Sequence, residues 1–142
     1  MRVLLSFLGL ILMTAATGFA QTFPQPGKTI RVLVGFAAGG GTDIQARIVA
    51  PRLAEALGAN VIVENKPGAS TSIAAAEVAR AAPDGYTILY TFSGAFAQVP
   101  FTLKGGVPYD PVKDFTPLSL GSSGSQILVL HVSVPASNVR EL

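Results

Sequence analysis

The first folded stretch of the chain combines a short apolar run, a glycine turn and a helical pattern of apolar residues. The run at residues 30–34 is rich in β-branched side chains, which favours a strand buried on both faces of a parallel sheet. Gly39, Gly40 and Gly41 follow, and consecutive glycines let the backbone turn sharply and expose its N–H groups. Apolar residues then recur every three or four positions up to residue 57, which predicts an amphipathic helix.

Side-chain spacing predicts where this helix begins and which face it buries. Thr42 and Gln45 stand three residues apart, the spacing of a capping box, so we expect the helix to begin here. Ile44, Ile48 and Val49 are among the apolar positions that should pack on the sheet.

Two further strands follow in the same alternation with helices. Short apolar runs at residues 61–63 and 86–92 predict strands, and the pattern at 72–82 predicts a helix between them. This order predicts an α/β fold with a mostly parallel sheet flanked by helices. Each strand leads into a loop of glycine and hydroxyl residues. In such a sheet these loops gather outside the carboxyl ends of the strands, where ligands bind.

The glycine turn and the helix after it predict an anion-binding site. Unpaired amides of the turn and of the first helical turn would face a small anion, and the helix macrodipole adds roughly half a positive charge there. Asp43 lies in the same turn and would compete for this field. We therefore expect Asp43 to act as a cap, or to bind a ligand hydroxyl, an amine or a bridging water, and not the anion itself.

The second half of the chain has a less regular pattern. Four prolines between residues 100 and 117 predict a winding connection, with a short helical turn at 112–115. Residues 126–132 predict a fourth strand, and Ser137 resembles the cap of another helix.

The amino-terminal segment is set apart by its composition. Arg2, an apolar run at residues 3–13 and a small-residue stretch ending at Ala20 have the layout of a secretory signal peptide, so we expect residues 1–20 to be a signal and 21–142 the folded part. An uncleaved membrane anchor is the alternative, although the apolar run is shorter than a membrane-spanning helix needs. Of ten basic residues one is Arg2, which leaves nine against eight acidic ones and argues against nucleic acid as a partner. The chain has no cysteine, which excludes disulfides and thiolate metal sites.

Five sequence segments together resemble the extracytoplasmic solute receptors of tripartite tricarboxylate transporters, the TctC or Bug family. In chain order they are FAAGGGTD, ALGANVIVENKPGAS, AAPDGYTILYTFSG, VPYDPVKDF and VSVPASNVREL. The resemblance implies a type II periplasmic binding protein fold, in which two α/β lobes close on a small ligand. Because such receptors are about twice as long, it also implies that this chain is a truncated, partial first lobe.

The resemblance further implies a function without catalysis, cofactor or metal. Its partners would be a small organic acid bound through a carboxylate and the membrane components of a tripartite tricarboxylate transporter, with the receptor in the periplasm. Ser70 stands where the family usually has a glycine-rich run, so that edge of the pocket would offer hydroxyls. The implied ligand-binding residues are Phe36, Ala38, Gly39, Gly40, Gly41, Thr42, Asp43, Ser70, Ser93 and Ala95.

Other interpretations remain open at this point. The glycine turn can be a purely structural connection, and the chain can be a nonfunctional remnant of a longer receptor. An α/β hydrolase using Ser93 and His131 is disfavoured because no G-x-S-x-G elbow is present. A dinucleotide-binding fingerprint is disfavoured because the three glycines are consecutive and not spaced as G-x-G-x-x-G. A Walker loop is excluded because no lysine follows the glycines. His131, in an apolar run without nearby carboxylates, is expected to be structural.

Overall fold

A three-stranded parallel sheet lies at the centre of the protein. The computed structural model describes residues 22–124 and 128–142, so the predicted signal at 1–20 lies outside the described residues. The strands are β1 (Thr29–Val34), β2 (Asn60–Asn65) and β3 (Thr87–Tyr90), in the order β2-β1-β3. Both pairings of β1 are parallel. The predicted α/β fold with a parallel sheet and flanking helices is thereby confirmed.

Helices connect the strands in the order that the sequence predicts. Helix α1 (Gly41–Leu57) joins β1 to β2 and ends at Gly58, whose φ of 60° is the left-handed conformation that glycine adopts without strain. A 3₁₀ turn (Ala69–Thr71) and helix α2 (Ser72–Arg80) join β2 to β3. Two single turns follow, α3 (Gly94–Ala97) and α4 (Val99–Thr102). None of the described helices is long and apolar enough to span a membrane.

Strand register brings the carboxyl ends of all three strands side by side. Val34, the last residue of the central strand, pairs with Asn65 on one side and with Tyr90 on the other. The loops that leave these three residues therefore begin next to one another. This alignment is what allows residues far apart in sequence to share one site.

Apolar clusters cover the sheet on both faces. Val32 and Val34 pack with Ala46 of α1, and residues of β2 and β3 lie around them. Ala75 and Ala76 of α2 form a second cluster with Tyr109. β1 is the most enclosed strand, as predicted, and its residues Ile30, Val32, Leu33 and Val34 are all 5% exposed or less.

The buried face of α1 differs from the predicted one. Ile44 and Ile48 are 51% and 65% exposed, whereas Ala46 and Ala50 are buried against the sheet. Both sets of residues recur at helical spacing, so periodicity alone does not choose between them. Small side chains let the helix backbone approach the strands closely, and the larger β-branched residues consequently turn outward. The expectation for Ile44, Ile48 and Val49 was wrong.

The predicted capping box does not form. The helix begins at Gly41, its N-cap is Gly40, and no side chain caps it there. Thr42 already lies inside the helix, so it cannot serve as the cap. Gln45 accepts a hydrogen bond from the Ser122 hydroxyl at 2.9 Å instead of reaching back to the helix start.

The second half of the chain contains less regular structure than predicted. Residues 128–132 form no strand, and residues 126 and 127, the rest of the predicted fourth strand, lie outside the described residues. A strand needs a partner, and none of the described strands pairs with this segment. Ser137 begins a turn closed by the Glu141 carboxylate and not a helix. In place of the predicted helical turn at 112–115, residues 111–113 form a turn held by Asp110, whose carboxylate accepts the amides of residues 112 and 113.

Close packing joins the loops after β1 and β2. Gly35 directly follows β1, and a Cβ added there would lie 2.5 Å from Cβ of Thr71. Thr71 is 1% exposed and belongs to a segment in which Ala69, Ser70 and Thr71 all have positive φ. Such backbone is strained for residues other than glycine and persists only where its surroundings hold it.

We expect Gly35→Ala to lower the free energy of unfolding by about 1–3 kcal/mol, because the added methyl group overpacks a contact with backbone and β-carbon atoms. Urea unfolding of the purified chain measures this change. Gly41→Ala is the matched control, since a Cβ there meets nothing within 4 Å. If both variants unfold at the same urea concentration, the close approach of Gly35 and Thr71 does not limit the fold.

Candidate functional site

The loop between β1 and α1 is an exposed turn whose conformation is held by hydrogen bonds to its own backbone. Ala37, Ala38 and Gly39 are exposed, and Gly39 has a φ of 82° that only glycine adopts readily. The amide of Gly40 donates to the carbonyl oxygen of Ala37 at 3.2 Å. The loop is therefore a tight turn that places the start of α1 beside the end of β1.

Asp43 is the buried centre of this turn. It is 2% exposed, and its carboxylate accepts the Gly39 amide at 2.8 Å and the Asn65 side-chain amide at 2.8 Å. Arg47 Nε lies 3.0 Å from both carboxylate oxygens. Hydrogen bonds from the Arg47 guanidinium, then from the Gly39 amide and Asn65, lower the pKa of Asp43 to about 2. Asp43 thus closes the turn before the helix by accepting the Gly39 amide, and a contact of Asp43 with a ligand hydroxyl, an amine or a bridging water remains a prediction.

Asn65 ties the end of β2 to the same turn. Its side-chain nitrogen donates to the carbonyl oxygen of Phe36 at 3.0 Å as well as to Asp43, and its oxygen accepts from Arg47 Nη2 at 2.9 Å. Neither Asn65 nor Arg47 is among the ligand-binding residues predicted from the sequence. The signal that could have found Asn65 is a polar residue at the carboxyl end of a strand that neighbours the glycine turn.

The amides without an acceptor inside the protein belong to the first turn of α1. The Gly39 and Gly40 amides are already bonded within the loop, so the prediction that the whole glycine turn is unpaired was wrong for these two. No acceptor among the described residues bonds the amides of Gly41, Thr42 and Asp43. They stand at the positive end of a 17-residue helix, where an anion is stabilised.

An aromatic pair links this loop to the one after β3. The rings of Phe36 and Phe92 meet edge to face with centroids 5.6 Å apart. Phe92 is 38% exposed and is not among the ligand-binding residues predicted from the sequence. Ser93, next along the chain, is exposed. The pair places an apolar surface between the two loops.

Ala95 and Ser70 occupy contrasting surroundings. Ala95 is fully buried, and its carbonyl oxygen accepts the Tyr109 hydroxyl at 2.8 Å. The structure therefore gives Ala95 a packing role, and a ligand contact for it remains a prediction. Ser70 is exposed in the strained segment before α2. The neighbouring hydroxyl of Thr71 is buried and has no hydrogen-bond partner among the described residues.

Neither a cluster of metal-ligating side chains nor a contact between His131 and Ser93 is present among the described residues. In the described part of the chain, no three His, Asp or Glu side chains gather as a metal site would require. His131 is exposed and not part of a strand, contrary to expectation, and its Nδ1 lies 2.7 Å from the Ser133 hydroxyl. The His131 side chain thus contacts Ser133, whereas the hydrolase interpretation requires a contact with Ser93.

Two Bordetella proteins are similar in sequence to this chain. It is 42% identical over 109 residues to a UPF0065 protein of Bordetella bronchiseptica, covering 77% of this chain and 32% of that protein. It is 36% identical over 134 residues to protein BugT of Bordetella pertussis, covering 92% of this chain and 40% of the relative. The chain thus spans well under half the length of these relatives.

Two solved structures are similar to this chain in both fold and sequence. A periplasmic transporter matches with a TM-score of 0.58 and 49% identity over 62% of this chain and 29% of its own. MatC from Rhodopseudomonas palustris, solved with bound malate, matches with a TM-score of 0.54 and 42% identity over 66% of this chain and 31% of its own.

The sequence model of one receptor family matches most of the chain. The family is described as the tripartite tricarboxylate transporter family receptor, and the match covers residues 45–142. This range contains β2, α2 and β3 together with Asn65. The chain belongs to the tripartite tricarboxylate transporter receptor family.

Proposed function

We propose that this chain forms part of a periplasmic receptor that captures a small carboxylated solute for a tripartite tricarboxylate transporter. The observation that carries the proposal is the set of unbonded amides at Gly41, Thr42 and Asp43, next to the end of the central strand. Family membership supports a receptor and not an enzyme. The malate bound to the related MatC supports a dicarboxylate as the first ligand to test.

An anion can bind beside Asp43 because that charge is compensated within the protein. Arg47 contributes a full positive charge, and the Gly39 and Asn65 donors complete the hydrogen bonding of the carboxylate. With only 2% of Asp43 exposed, its oxygens face the protein and not the solvent above the loop. The field at the helix terminus is therefore left for an external carboxylate.

The surroundings of these amides suit the apolar part of such a solute. Phe36 and Phe92 lie at the loops after β1 and β3, and Phe92 is partly open to solvent. A carboxylate on the amides and an aliphatic chain against these rings would use both kinds of surface. Because the chain spans well under half of its relatives, we infer that these loops supply one side of the complete binding site.

Gly41 offers a direct test of anion binding. A Cβ at this position meets nothing within 4 Å, so a side chain is tolerated beside the unbonded amides. We expect Gly41→Glu to weaken malate binding at least about tenfold, because its carboxylate repels the ligand at short range. The same charge in the first helical turn should leave stability unchanged or raise it by about 0.3–1 kcal/mol. Isothermal titration calorimetry and urea unfolding measure the two effects.

Gly41→Gln is the matched control, since it has the same size without the charge. A smaller loss of affinity in Gly41→Gln than in Gly41→Glu supports electrostatic binding at the helix terminus. Equal affinities for the two variants would contradict the proposal, and so would a wild-type chain that binds no dicarboxylate.

Asp43 makes the stability of the site depend on pH in a defined range. Its pKa is about 2 in the folded protein against an ordinary 3.8, so its ionised form stabilises the fold above about pH 4. This contribution is lost as the pH falls through 4 towards 2. We expect the free energy of unfolding of Asp43→Asn to change less than that of the wild type over this range, as measured by urea titration at each pH.

The control for this experiment is Glu55→Gln in the same helix, where the side chain is 78% exposed. It should retain the wild-type loss of stability between pH 4 and 2. If the stability of Asp43→Asn falls with pH as that of the wild type does, the carboxylate of Asp43 is not the group whose protonation lowers the stability.

A further inference from the structure

One side-chain amide connects three separate segments at the edge of the sheet. Asn65 belongs to β2, yet it contacts the carbonyl of Phe36 in the loop after β1 and the carboxylate of Asp43 in α1. Its oxygen also accepts from Arg47, one turn further along α1. No other described side-chain amide bonds to both the glycine loop and the helix.

We propose that Asn65 is a positioning residue for the anion site, holding the glycine loop in the conformation that presents the amides of α1. This proposal rests on the proposed function and extends it to a residue that touches no ligand itself. The Phe36 carbonyl and the Asp43 carboxylate are the two groups that Asn65 joins. Asp43 in turn holds the amide of Gly39, so the chain of contacts runs from β2 to the turn.

The chemistry of the contacts requires an amide at this position. The nitrogen carries two N–H groups, and both acceptors, a carbonyl and an ionised carboxylate, lie on its side. The oxygen faces the Arg47 guanidinium, a group that only donates. An aspartate would offer no donor to Phe36 or Asp43, and a leucine would leave both acceptors without their partner.

Asn60 at the other end of the same strand provides a matched control. Its side-chain amide donates to the Thr29 hydroxyl at 3.0 Å, so it also joins β2 to β1. It lies at the amino end of the sheet, away from the loops. If Asn65 served only to pair the two strands, replacing either asparagine would have a similar effect on the site.

The first experiment compares Asn65→Leu with Asn60→Leu in the full chain. Amide hydrogen exchange, followed residue by residue, reports whether Gly39 keeps its bond to Asp43 without any ligand present. We expect Asn65→Leu to speed exchange at Gly39 about tenfold or more, because hydrogen bonds to charged groups are among the stronger ones. Asn60→Leu should change it less than about twofold. Malate affinity by calorimetry should fall in the same order.

A second variant keeps the test valid if Asn65→Leu does not fold. Asn65→Asp places a carboxylate beside that of Asp43, and two carboxylates at hydrogen-bond distance share a proton as the pH falls. Protonated, the new side chain can donate to Asp43 again. The charged groups in contact are Asp43 and Arg47, while nearby Lys66 pairs with Glu77 at 3.4 Å. We expect exchange at Gly39, relative to wild type, to slow between pH 7.5 and 5.

The outcomes separate this proposal from the proposed function. Wild-type chain that fails to bind malate counts against the proposed ligand, while exchange at Gly39 still decides the role of Asn65. Equal exchange at Gly39 in Asn65→Leu and Asn60→Leu would overturn the positioning role. So would an Asn65→Asp variant whose exchange, relative to wild type, is independent of pH. Faster exchange in Asn65→Leu with unchanged malate affinity would show that the loop position does not govern binding, which also overturns the proposal.

Discussion

The structure around the candidate site depends on the burial of one ionised carboxylate, that of Asp43. An unpaired charge in a folded interior is strongly unfavourable, so a buried Asp43 requires a cation and several donors. Arg47, Asn65 and the Gly39 amide meet this requirement from a helix, a strand and a loop. Because each donor must reach the same carboxylate, their relative positions are constrained together. The glycine turn owes its shape to this constraint as much as to its glycines.

Small residues allow the elements to come close enough for these contacts. Ala46 and Ala50 bring α1 onto the sheet, and Gly35 leaves room for Thr71 behind the end of β1. The three positive φ angles at residues 69–71 show that the chain accepts local strain at this edge. The strain and the close contacts lie where the loops after β1 and β2 meet, which is the edge that carries the candidate site.

A compensated aspartate explains how an acidic residue and an anion site share one helix terminus. The charge of Asp43 is directed into the protein and neutralised there, whereas the amides of Gly41 and Thr42 have no acceptor in the described part of the chain. The aspartate thus fixes the loop, and the macrodipole remains available to a ligand. The aromatic pair of Phe36 and Phe92 adds an apolar surface from a third loop.

Local pattern determined the α/β class, the three strands, the two long helices and the turn at Gly39, because apolar periodicity and glycine act over a few residues. It did not determine which face of α1 is buried, since alanines and isoleucines recur with the same period and only the sheet selects between them. Nor did it reveal Asn65, whose role depends on strand register. The predicted fourth strand also does not form at residues 128–132, because a strand forms only where the tertiary structure supplies a neighbouring strand.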